Sequence, residues 1–123
     1  MKQRLQPYLA ALENEKKLLQ EGIARLEAEC RQDEANLEKV RLNIVGVFET
    51  LAHADAAAVS RESEPWAAFT QRYQQRFEQI PAPWRQRLEK ALTHGDVVTR
   101  TVEECKLATV RRLWELFDRG EEK

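Results

Sequence analysis

Two cysteines, Cys30 and Cys105, and two histidines, His53 and His94, are the side chains of this sequence best suited to metal or nucleophilic chemistry, and each stands alone. Structural zinc sites announce themselves by paired ligand spacings, and no such pair occurs. His94 precedes Gly95 and reads as a helix C-terminal residue, favourable when protonated near the negative end of the helix dipole. The carboxylate sites of helical bundles use Glu-x-x-His, which this chain lacks, and Glu103-Glu104 is expected on the solvated side of the last helix. Neither cysteine has an activating context, and no Gly-rich loop could cradle a phosphate. The expectation is a non-enzyme with no catalytic residue, metal or cofactor.

The remaining concentration of chemistry is basic and aromatic. Arg72, Arg76, Arg85, Arg87 and Lys90 interleave with Trp66, Tyr73, Phe77 and Trp84, and Arg111 and Arg112 follow. Such mixtures can stack bases and neutralise phosphates, so a nucleic-acid-binding regulator using Arg72, Arg76, Arg85, Arg87, Arg111 and Arg112 is the second reading. Two features oppose it. At helical spacing Trp66, Phe69, Tyr73 and Phe77 share one face, with arginines as its rim. The segment from Arg87 to Glu104 has a helix-turn-helix outline, but its reading helix would present Asp96, Glu103 and Glu104 to phosphate. A third reading is a small-ligand sensor with a pocket among Trp66, Trp84 and Trp114, against which stands ordinary aromatic core packing.

The elements that must position these groups are helical. Four glycines and four prolines in 123 residues, with 33% charged residues, indicate an all-α fold. From Leu5 to Leu51 the apolar residues keep a seven-residue step. With Leu9 at position a, the a sites are Leu9, Lys16, Ile23, Cys30, Leu37, Ile44 and Leu51, and the d sites are Leu5, Leu12, Leu19, Leu26, Asp33, Val40 and Val47. That period suits a left-handed coiled coil and predicts one helix of about 55 residues, about 80 Å long. Its first half is a narrow stripe flanked by charge. From Leu37 onward Leu42, Val45 and Phe48 add apolar character all round, the mark of a buried helix. Asp33, amid Arg31, Gln32 and Glu34, marks a polar junction.

The expected organisation is therefore a coiled-coil arm over residues 1–36 and a helical bundle over 37–123 that shares the same long first helix. Pro65 suits the first turn of a second helix capped by Ser63 or Glu64, ending at Pro81. A short helix follows, closed by Gly95. Asp96 caps a last helix whose inward face is expected to be Val98, Val102, Cys105, Thr109, Val110, Leu113, Trp114 and Phe117, with Gly120 and a charged tail ending it.

With 20 basic and 21 acidic residues, no global field draws the chain to nucleic acid or an anionic surface. The N-terminus lacks a secretory apolar core, no stretch approaches a membrane span, and two thiols suit a reducing compartment, so the expected location is cytoplasmic. The favoured function is a protein-interaction module, such as an oligomerising adaptor, assembly factor or regulatory subunit. Partner contact is expected through Leu5, Leu9, Leu12, Leu19, Ile23 and Leu26. A parallel homodimer would oppose Glu29 to Glu34 and place Lys16 and Asp33 in the seam, so the expected partners are a second copy, antiparallel or folded back, and another protein. In a parallel dimer Cys30 would face its own copy and form an interchain disulfide on oxidation.

Overall fold

The computed structural model describes residues 1–121. It holds five helices: α1 (Lys2–Ala28), α2 (Gln32–Val59), α3 (Pro65–Gln79), α4 (Ala82–His94) and α5 (Val97–Glu121). Among the described residues there is no strand, and the fold is an all-α bundle.

The long first helix is two helices. α1 stops at Ala28, and Cys30 takes a left-handed backbone with φ 60°. The Arg31 N–H donates to the Leu26 carbonyl at 2.9 Å and the Cys30 N–H to the Glu27 carbonyl at 3.1 Å. Those two bonds are the Schellman closure of a helix C-terminus. The chain reverses there and α1 packs on α2. The position of the break agrees with the polar junction at Asp33. The separate arm over residues 1–36 and the single 80 Å helix are not what forms, because the apolar stripe of α1 finds its mate in the same chain. Ion pairs reinforce the match: Lys16 with Glu49 at 2.9 Å and Lys39 with Glu27 at 3.6 Å.

α2 is the central helix, packed against α1, α3 and α5. It continues through the alanine-rich stretch to Val59. By length and composition α2 could cross a membrane, contrary to the expectation that no stretch approaches a span. In this fold its Ile44, Val45, Phe48 and Ala52 are buried in the bundle core, whereas Val47 remains exposed.

The core joins four helices: Leu5, Tyr8 and Leu12 of α1, Ile44, Val45, Phe48, Ala52 and Val59 of α2, Phe69, Tyr73 and Phe77 of α3, and Val110, Leu113 and Phe117 of α5. Each fully buried large apolar side chain contributes about 1.5–3 kcal/mol. Phe117 and Tyr8 meet edge to face at 5.1 Å, and Phe69 stacks on Tyr73 at 5.2 Å. α4 packs on α5 and buries only Ala91 fully. Pro65 and Gly95 perform as expected, at the first turn of α3 and the left-handed closure of α4. Asp96 caps α5 by accepting from the Thr99 N–H at 3.1 Å, and hydrogen bonds from Thr99 hold its carboxyl below the usual range. α5 runs through Gly120 to Glu121; the Glu122 and Lys123 part of the expected charged tail lies outside the described residues.

Candidate functional site

The six leucine and isoleucine positions assigned to partner contact lie against the chain's own helices. Leu5, Leu12, Ile23 and Leu26 are buried, and Leu9 and Leu19 are half-buried against the core. A second copy cannot reach a side chain such as Leu12, which is 0% exposed, without opening the hairpin. The acidic flank of the stripe is also met internally, by Arg112 of α5 on Glu15 at 3.1 Å. Cys30 occupies the exposed α1–α2 turn rather than a helix seam.

Four of the six arginines proposed for nucleic acid are held in ion pairs inside the fold. Asp55 of α2 is 0% exposed and takes Arg72 at 2.9 Å and Arg76 at 2.8 Å from α3. Burial raises the pKa of that carboxyl, but hydrogen bonds and charge from the two guanidiniums outweigh it, and Asp55 is held below its ordinary value. Arg87 lies 3.6 Å from Glu103, and Arg112 is the partner of Glu15. Arg85 and Arg111 alone of the six have no ion pair among the described residues.

The tryptophans are separated. Trp66 stacks on Phe69 at 5.5 Å with Arg4 over its ring at 4.9 Å. Trp84 lies under the Lys106 ammonium, and Trp114 meets Phe77 edge to face at 5.2 Å. Trp114 alone of the three lines the groove between α3, α4 and α5, so the three do not form the expected shared pocket. Between Tyr8 and Tyr73 the hydroxyls are 2.7 Å apart, and Tyr73 donates onward to the Phe48 carbonyl at 3.0 Å, leaving Tyr8 to donate to Tyr73. Burial raises both phenols well above their usual range and keeps them neutral. This pair is a buried polar link among α1, α2 and α3.

Glu103 departs from expectation. It is buried against α4, with Lys106 at 3.2 Å, while Glu104 stays exposed and pairs with Arg100. No group of three histidine, cysteine or acidic side chains converges among the described residues. Cys105 is buried, accepting from the Arg41 guanidinium at 3.2 Å.

The feature the sequence pattern concealed is at the start of α5. Val98, assigned to the inward face, is 76% exposed, and Val97 beside it is 69% exposed. They border an apolar depression of about 380 Å³ whose other walls are Leu37 and Val40 of α2 and Val102 of α5, edged by Asp33 and Asn36. Leu92, near the end of α4, is also exposed. Valine is a poor choice for an exposed helix position, and here two adjacent valines and the apolar depression beside them form one exposed apolar patch. The sequence signal was there: two β-branched residues directly after the Gly95-Asp96 turn, where only one of them can face inward.

No family model matches the chain, and searches of curated proteins and of solved structures found no match.

Proposed function

We propose that this protein is a non-catalytic interaction module, an oligomerising adaptor, assembly factor or regulatory subunit, whose contact surface is the valine edge at the start of α5. The observation that carries this reading is the pair Val97 and Val98, 69% and 76% exposed beside a depression walled by Leu37, Val40 and Val102. An apolar projection next to an apolar depression on one surface is self-complementary, the property a two-fold contact between identical chains requires. In the proposed dimer the valines of each copy fill the depression of the other. Association then leaves the core, including the α1 stripe, untouched, and the remaining surface is free for another protein.

The nucleic-acid reading is weaker, since Arg72, Arg76, Arg87 and Arg112 already serve carboxylates of the chain. Sedimentation equilibrium at micromolar concentration tests the proposal. The wild type is expected to have a dimer mass and the Val97→Ser/Val98→Ser variant a monomer mass with unchanged helicity. A monomeric wild type, or a variant that keeps the dimer mass, overturns it.

A further inference from the structure

The groove between α3, α4 and α5, on a different surface from the valine edge, has the composition of a small-molecule site. Its walls include Phe77 of α3 and Leu107, Val110 and Trp114 of α5, and it encloses about 510 Å³. That volume falls in the range of about 300–1,000 Å³ typical of ligand pockets. Phe77 and Trp114 meet at 70° with ring centroids 5.2 Å apart, so part of the wall is aromatic, suited to a flat apolar body.

Arg85 of α4 and Arg111 of α5 line the same groove. They are the two guanidiniums of the basic and aromatic region that the fold leaves without an ion pair among the described residues, while Arg72, Arg76, Arg87 and Arg112 are paired. A guanidinium presents a planar fork of donors that matches a carboxylate and is more weakly hydrated than an ammonium. Glu78 is the one carboxylate among the lining residues, so the groove keeps a net positive charge.

We propose that this groove binds a small amphiphilic carboxylate, its apolar body against Phe77, Val110 and Trp114 and its carboxylate on Arg85 and Arg111. Apolar contact supplies much of the affinity, and the two arginines select the acid over its uncharged analogue. The Glu78 carboxylate opposes the ligand, so neutralising it strengthens binding. The inference is independent of the dimer, because no residue of the valine edge lines the groove.

Isothermal titration calorimetry with naphthoate as the probe tests it, using naphthylmethanol and inorganic phosphate as comparison ligands. Naphthoate is expected to bind one site per chain, about tenfold or more tighter than the alcohol, as a charge-assisted contact to arginine implies. Arg85→Gln/Arg111→Gln is expected to lower naphthoate affinity at least to that of the alcohol, Glu78→Gln to raise it, and Val97→Ser/Val98→Ser to leave it unchanged. Both arginines are exposed, and circular dichroism of each variant verifies that it is folded. Failure of naphthoate to bind the folded wild type overturns the proposal. Equal affinity for naphthoate and the alcohol, phosphate binding as tight as naphthoate, or full affinity in the folded double-arginine variant each does the same.

Discussion

The molecule contains two helical hairpins that turn in the same way and end with opposite surfaces. α1–α2 and α4–α5 each reverse through a left-handed residue, Cys30 at φ 60° and Gly95 at φ 67°, with the next N–H donating to a carbonyl five residues back at 2.9 Å. The first hairpin buries its apolar stripe between its own helices. The second opens with two valines in water. The stripe of α1, for all its regularity, is consumed by folding, whereas the irregular pair at the start of α5 stays in water. Regular apolar periodicity therefore marks where this chain packs on itself, and the valines that break the inward face of α5 are left exposed.

The largest expected effect separates the two hairpins directly. Leu12→Asp places a charge at a site 0% exposed and is expected to destabilise the fold by more than about 4 kcal/mol. Val98→Asp, in the first turn of α5 where an acid suits the helix dipole, is expected to stay within about 0.5 kcal/mol of wild type at concentrations low enough for both to be monomeric, where the dimer contact adds no stability. Urea unfolding of both variants measures this, and a well-folded Leu12→Asp protein would erase the distinction.

Next in size is the Asp55 lock between α2 and α3. Asp55→Ala is expected to cost about 2–3 kcal/mol in chemical denaturation, less than a fully buried broken pair because Arg72 and Arg76 retain access to water. The folded pKa of Asp55 lies below its ordinary value of 3.8. Its contribution is therefore full above the unfolded pKa and is lost as pH falls through the folded one. Wild type is expected to lose more stability than Asp55→Asn on acidification below about pH 4, so the gap between their unfolding midpoints narrows.

The smallest effects sharpen the likeness of the turns. Cys30→Gly is expected to stabilise by about 0.5–1 kcal/mol, because glycine adopts the left-handed backbone without the penalty a Cβ brings. Gly95→Ala is expected to destabilise by about 1 kcal/mol for the same reason. Opposite signs in the thermal midpoints verify that the two reversals share one geometry, and equal signs would break the comparison.

The helical class, the starts of α3 and α5 and the close of α4 at Gly95 were readable because proline, aspartate and glycine act through local backbone chemistry. The reversal at Cys30 was not, since a cysteine in a left-handed turn leaves no compositional trace and the heptad step happens to run through it. The same unbroken step made the arm look free and its leucines look available. Asp55 is a lone acid in an alanine run with no local motif around it, although an isolated charge in an apolar helix calls for a partner, and Arg72 and Arg76, four residues apart on α3, are its complement. A charge such as Glu103 is expected to face water, yet Arg87 and Lys106 pair with it where it is buried. The valine edge was concealed because Val98 and Val102 share an inward-looking spacing, yet α2 covers only the second of them partly.

The most direct test of the account is the distance between the start of α1 and the end of α2. Lys2 and Ala57 line one depression of about 350 Å³, and nitroxides attached at these positions in a Cys30→Ser background can be measured by pulsed electron-spin spectroscopy. A folded-back hairpin predicts about 10–20 Å, unchanged when labelled protein is diluted with unlabelled. A separation near the ~80 Å of one continuous helix, or a short distance that vanishes on dilution, would contradict it.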